Sequence, residues 1–243
     1  MLGPFLLHPA GCGGLVGAER TVPRGIPAAG PGVPCVSVVS VPSVAGALSV
    51  LAFRVCFVWR AATMRGMAKE RSPYVSRAGM KLAAALDAFG LSVEGRVCAD
   101  LGCNVGGFTD CLLQRGAAQV TAVDTGYGTL AWKLRRDPRV AVMERTNALH
   151  AEPPRRVEVV VIDVGWTPQT AILPAARRWL AEGGIVLSLL KPHYEAAAAA
   201  ADGRARRRSH VLTGEQARRQ CLATCQAVAA QGWFVRAVTE SPL

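Results

Sequence analysis

A doubly wound α/β fold around a mostly parallel sheet is predicted by three features of this 243-residue chain. Apolar runs of strand length alternate with helical segments, the βαβ rhythm of a sheet covered on both faces. The first clear run ends in a glycine-rich turn that opens a helix: Cys98-Ala99-Asp100-Leu101-Gly102-Cys103-Asn104-Val105-Gly106-Gly107-Phe108-Thr109-Asp110. Ionisable residues stand where later runs stop, at Asp124, Asp163 and Lys191, and in this architecture ligands gather at the carboxyl ends of the strands.

The regular pattern begins at Tyr74. Ser76 is placed to cap a helix over 77–89, whose Met80, Leu82, Ala83, Leu86 and Phe89 supply an apolar face and which Gly90 stops. A strand over 97–101, a helix over 106–115, a strand over 119–123, a helix over 128–136 and a strand over 139–143 follow. Val157 to Ile162 is a nearly unbroken β-branched run. After it the pattern predicts a helix over 168–181, a strand over 184–190, a helix over 213–231 and a last strand over 233–238.

The formal charge of +11 points to a polyanionic partner rather than an acidic protein, which is a statement about association and not about fold. Eight cysteines include no CxxC pair, and Cys98, Cys103 and Cys111 fall in an apolar strand, turn and helix. They read as reduced, cytosolic thiols rather than a disulfide or metal framework. Four scattered histidines give no ligand spacing, so no metal site is expected.

Residues 1–66 differ from the remainder: Gly, Pro, Val and Ala dominate without a sustained period, and Glu19 is the one acid. The apolar stretch from Val36 to Phe53 is interrupted by Pro42 and Gly46 and closed by Arg54, so it makes a poor membrane span. Three readings remain open for 1–66: a low-order extension, a membrane anchor, and translation from a start upstream of Met64 or Met67. The expected organisation is therefore an extension over 1–66 and a catalytic domain over 72–243, with no membrane association.

A glycine turn alone is weak evidence for any one ligand. Asp124 ends the second strand about 20 residues beyond the glycines, where a carboxylate binds the hydroxyls of a ribose. NAD and S-adenosylmethionine fit that spacing equally. Asp100 separates them only in part and favours the methyl donor, because a carboxylate there repels a pyrophosphate and suits a cofactor carrying an amino group and a sulfonium. Asp163 and Lys191 would bring an acid and a base to the same rim; each alone reads as a salt bridge or solvated strand end, and together they suggest catalysis. Lys81 adds a third polar group, although alone it reads as a solvated helix residue.

Four ordered motifs make the pattern specific: Tyr74-Val75-Ser76-Arg77-Ala78-Gly79-Met80-Lys81-Leu82, the turn with Gly106-Gly107-Phe108-Thr109-Asp110, Ala122-Val123-Asp124-Thr125-Gly126-Tyr127-Gly128, and Glu144-Arg145-Thr146-Asn147-Ala148. Over Ser72 to Leu243 the chain resembles the TlyA-type, or hemolysin A-like, RNA methyltransferases of the FtsJ-like superfamily. Lys191-Pro192-His193-Tyr194-Glu195 is similar to the family's Lys-Pro-Gln-Phe-Glu segment, with two changes. The resemblance implies a Rossmann-like, S-adenosylmethionine-dependent fold and ribose 2'-O-methylation of ribosomal RNA in the cytoplasm. It implies a Lys-Asp-Lys-Glu tetrad whose first three members match Lys81, Asp163 and Lys191. It further implies cofactor contacts at Asp100, Gly102, Gly106, Gly107, Phe108 and Asp163, with Asp124 at the cofactor's ribose and Asn147 at its adenine.

Departures from the family are equally informative. The fourth tetrad member lies on a final antiparallel strand after a Ser-Pro-Leu turn, whereas this sequence stops at Ser241-Pro242-Leu243. Glu240 precedes the turn and is not its equivalent. Without that strand a neighbouring edge is expected to be bare. Residues 1–66 show nothing like the family's small amino-terminal RNA-binding domain, so RNA affinity would fall on the catalytic domain. In the expected loop over 196–210, alanines lead into Arg204, Arg206, Arg207 and Arg208, either a solvated loop or contacts to RNA phosphates. Trp132, Trp166 and Trp179 could stack on bases, but the two in predicted helices, 132 and 179, read as core. The alternatives to an enzyme are a truncated relative that binds cofactor without turnover and, suggested only by the hemolysin label and residues 36–53, a membrane-active toxin.

Overall fold

Seven strands join in one sheet, every pairing of which is parallel, in the order β4-β3-β2-β5-β6-β1-β7. The computed structural model describes residues 53–59, 72–199 and 212–241, all within one compact unit, Val36–Leu243. The strands are β1 Phe53–Trp59, β2 Val97–Leu101, β3 Gln119–Val123, β4 Val140–Met143, β5 Val157–Ile162, β6 Leu180–Leu190 and β7 Trp233–Glu240. The helices are α1 Ala78–Phe89, α2 Gly107–Gln114, α3 Trp132–Arg135, α4 Gln169–Trp179, α5 Pro192–Ala199 and α6 Gly214–Ala230.

The core lies in two layers, one on each face of the sheet. Alternate residues of each strand point to opposite faces. Ala99, Leu101, Val160, Ile162, Val186 and Leu190 pack with Ile172, Leu173 and Trp179 of α4 and Val228 of α6. Cys98, Val159, Val161, Leu187 and Leu189 pack with Leu82 and Leu86 of α1 and Leu112 of α2. The same alternation carries on past the apolar residues, so Asp100, Asp163 and Lys191 fall in phase with the α1–α2 layer.

Strand order reverses between β2, which leads through β3 to β4, and β5, which leads to β6. Adjacent strand ends diverge at such a point and leave a crevice for a ligand. Here the crevice is bordered by the glycine turn after β2 and by Asp163 after β5, whose N–H donates to the Leu101 carbonyl at 3.1 Å.

One strand was not foreseen. Phe53–Trp59, inside the stretch read as an extension, wedges between β6 and β7, continuously in register with β6 and with a one-residue shift against β7 after Val55: Val55 opposite Val186 and Val235, Trp59 opposite Leu190 and Glu240. Val55, Cys56 and Phe57 have no exposed surface. The edge of β6 that the sequence leaves bare is therefore covered, and by a parallel rather than an antiparallel strand. The rest of residues 1–66 lies outside the described residues.

Smaller corrections have local causes. α1 starts at Ala78 without a side-chain cap, and Ser76 offers its carbonyl to Gly79 N–H rather than its hydroxyl to the helix. The helix expected over 128–136 shrinks to α3, because Gly128 takes a φ of +74°. The loop expected from 196 begins instead as the end of α5, where Pro192 starts the helix and alanines extend it. α6 keeps its expected span, with Thr213 and Gln216 forming a capping box. Among the described residues no helix is long and apolar enough to cross a membrane.

Candidate active site

The turn after β2 is held shut by its own backbone and by a strand-end acid. Gly102 N–H and Cys103 N–H both donate to the Val123 carbonyl. Asp124 then receives Asn104 N–H at 2.8 Å on one oxygen and Gly126 N–H at 2.7 Å on the other. A carboxylate has about four acceptor sites, so Asp124 retains capacity for ribose hydroxyls.

The glycines have separate reasons. Gly102 sits at a φ of +92°, and a Cβ there would lie 2.8 Å from the Asp163 carbonyl oxygen. Its absence is what lets the end of β5 come close. A Cβ on Gly106 would meet Leu134, and one on Gly107 would meet the Ser76 hydroxyl. These two glycines thus serve helix packing within the protein, a role the sequence reading did not separate from cofactor contact.

Asp100 has no exposed surface. One oxygen accepts Thr109 N–H at 2.9 Å and Thr109 Oγ1 at 2.7 Å; the other, Oδ1, has no hydrogen-bond partner among the described residues. Burial pushes its carboxyl up to about 7, against the opposing pull of the Thr109 hydrogen bonds, with Asp163 and Asp124 adding repulsion. An orphaned, buried acceptor beside a ligand crevice suits a cationic group, and the ammonium of S-adenosylmethionine has that chemistry.

Across the crevice, Lys191 Nζ lies 2.6 Å from Asp163 Oδ1 and donates to the Val164 carbonyl at 3.1 Å. The expected pair is thus brought together, both side chains partly buried. Lys81 lines a small pocket with Val58, Leu82, Phe108, Leu187, Ser188 and Leu189. Phe108 is nearly buried in that wall. Asn147 is exposed beyond β4, its Oδ1 accepting Leu149 N–H at 3.0 Å. Arg204, Arg206, Arg207 and Arg208 lie outside the described residues.

Aromatic side chains rim the site. Trp166 is 72% exposed at a φ of +61°, with its ring 4.5 Å from that of Tyr194, which in turn lies 4.1 Å from His193. The Lys191 ammonium stands 5.6 Å from the Tyr194 ring centre. Trp179 is core as expected, but Trp132, also read as core, is 70% exposed because α3 is too short to bury it. At the neighbouring strand ends the Arg145 guanidinium covers the exposed Tyr127 ring at 4.1 Å.

A further network escaped the sequence reading. Glu195 is nearly buried and accepts Gln169 N–H at 3.0 Å, while Gln169 Oε1 accepts Ser188 Oγ at 2.7 Å. Burial lifts the Glu195 carboxyl to about 7, opposed by the Gln169 N–H. The available signals were its place at the end of the Lys191-to-Glu195 motif and the alanine run that follows it. Among the described residues no group of His, Cys, Asp and Glu is arranged to hold a metal, and the six described cysteines are buried and unpaired.

The sheet is that of a Rossmann-like methyltransferase, and residues 74–242 match the FtsJ-like methyltransferase model. The chain belongs to that family. It is 40% identical over 173 residues to the 16S/23S rRNA (cytidine-2'-O)-methyltransferase TlyA of Mycobacterium tuberculosis, covering 70% of this chain and 63% of that protein. It is 43% identical over 130 residues to Hemolysin A of Brachyspira hyodysenteriae, covering 51% of this chain and 53% of that one. A solved structure of a candidate hemolysin from Streptococcus thermophilus matches with a TM-score of 0.59 and 39% identity, over 67% of this chain and 59% of the other. The chain thus spans between about half and two thirds of the length of these relatives.

Proposed function

We propose that this chain transfers the methyl group of S-adenosylmethionine to a ribose 2'-hydroxyl of ribosomal RNA in the cytoplasm. The observation that supports this most directly is the Lys191 ammonium, held by Asp163 and the Val164 carbonyl on the same rim as the orphaned Asp100 oxygen. The cofactor supplies an electrophilic sulfonium methyl. Asp100, Asp124, Gly102 and Asn147 would hold it, with Gly106, Gly107 and Phe108 shaping the wall. Lys191 donates to the Val164 carbonyl and is ion-paired with Asp163, which leaves an N–H of the ammonium able to meet the 2'-oxygen and stabilise the charge that develops as it attacks the methyl carbon, the hydroxyl proton passing to solvent. Lys81 and Asp163 would assist from either side. Trp166 and Tyr194 offer stacking surface to the nucleotide's base, and Arg204, Arg206, Arg207 and Arg208 would bind phosphates without reading sequence.

Replacing Lys191 with Ala is expected to abolish methyl incorporation into ribosomal RNA, a drop of about 10²-fold or more, while calorimetry finds cofactor affinity unchanged. Retained transfer would remove Lys191 from the mechanism. A second reading, a cofactor-binding RNA module without turnover, is favoured by one observation: among the described residues the lining of the pocket beside Lys81 includes Val58 and no carboxylate. Cofactor binding by the unmodified chain with no methyl incorporation selects that reading.

A further inference from the structure

Two segments that reach the site from different strands are stitched together at four points. Ser188 on β6 donates to Gln169 at the start of α4. Lys191 bonds to Asp163 and Val164, which follow β5. Tyr194 packs on Trp166 in the loop between β5 and α4. Glu195 on α5 accepts the Gln169 N–H that opens α4. The last contact is the deepest of those beyond Lys191, its carboxylate nearly buried and set against a helix N-terminus. Helix starts have unpaired N–H groups and a partial positive charge, so this acceptor fixes where α5 sits relative to α4.

We propose that Glu195 is a positioning residue for Lys191. Lys191 and Glu195 are one helical turn apart, and Glu195 N–H donates to the Lys191 carbonyl at 3.2 Å, so the height of α5 is transmitted to the lysine through the first turn. Loss of the carboxylate frees α5 to move outward and takes the ammonium away from Asp163. An error of about 1 Å at a reacting group can cost on the order of 10²-fold in rate. Gln in its place keeps a carbonyl acceptor for Gln169 N–H and should keep the geometry.

The role of Lys191 in methyl transfer rests on the reading proposed above, whereas its ion pair does not, and two measurements keep these apart. In the first, the full chain is treated with an amine-acylating reagent and modification of Lys191 is followed by peptide mass spectrometry. Glu195→Ala should raise the Lys191 rate several-fold, and Glu195→Gln should leave it as in the unsubstituted chain. In the second, methyl incorporation into ribosomal RNA should show kcat falling about 10²-fold in Glu195→Ala with KM for the cofactor unchanged, and recovery in Glu195→Gln. Unchanged Lys191 labelling in Glu195→Ala overturns the inference, as does loss of labelling contrast and cofactor binding together, which marks simple unfolding. If the unsubstituted chain transfers no methyl group, the functional reading fails and the labelling result still decides the role of Glu195.

Discussion

β1 and β2 end at the same rim of the sheet, yet they are secured in opposite ways. β2 is fixed by its near neighbours in sequence: Thr109 anchors Asp100, and Asp124 anchors the turn through Asn104. Among the described residues β1 has no such local ties; its two partners, β6 and β7, come from the far end of the described chain. Both strands are buried, so burial alone does not distinguish them. A site can therefore depend equally on a segment with a strong local signature and on one with none, since Val58 of β1 shares a pocket with Lys81 and Phe108.

The largest test of this contrast is removal of residues 1–63. Without β1 the facing edges of β6 and β7 lose their partners, and unpaired edges invite aggregation. The shortened protein is expected to elute as aggregate in size-exclusion chromatography and to unfold without a cooperative transition. Phe57→Ala isolates the packing contribution, because Phe57 has no exposed surface, and should cost about 3–5 kcal/mol in denaturant unfolding. A truncated protein as stable as the full chain would mean that β1 is dispensable.

Gly102→Ala probes the other strand with a smaller expected effect. The backbone conformation alone costs about 1–3 kcal/mol for a residue with a side chain. The new methyl group would also press on the Asp163 carbonyl, so weaker cofactor binding in calorimetry should accompany the lower melting temperature. Unchanged binding would show that the crevice tolerates displacement of β5.

The mildest test is pH. Asp100 and Glu195 both titrate near 7 in the folded chain, well above the ordinary carboxylate range. Their raised values mean that the native state holds protons which the unfolded state has released between about pH 4 and 7. Their contribution to stability is full below about pH 4 and falls as pH rises toward 7. Asp87 and Asp137 are lowered by their arginine partners and act in the opposite sense at lower pH. Chemical unfolding across this range should show a flatter profile for Asp100→Asn than for the unsubstituted chain.

Legibility in the sequence followed the same division. β2, β3 and β5 were readable because mostly apolar runs end in glycine or acid, and their bounds match to within a residue or so. Asp163 and Lys191 were paired from their positions at strand ends, since a parallel sheet aligns such ends. β1 was hidden because it starts at Phe53 and runs through Arg54, the residue taken to close the preceding apolar stretch, and only partners distant in sequence select a strand there. Gln169 and Glu195 were hidden for a related reason. Gln169 has no local motif, the segment from Lys191 to Glu195 names no partner for its glutamate, and their contact exists only once β5 and β6 lie side by side. Trp132 shows the converse error, an aromatic placed in the core by helical periodicity that a four-residue helix cannot enforce.

The seat of β1 also bears on how the chain reaches this fold. β1 is the earliest of the described strands to be synthesised, but it can pair on one side only once β6 exists and on both only once β7 does. Its closure entropy is met late, after most of the sheet has formed, so assembly of this half should be slow compared with the local β2-α2-β3 unit. During that interval an apolar strand and two open sheet edges are exposed together, and elongation rate and chaperone supply should limit the yield of folded protein more than its final stability does.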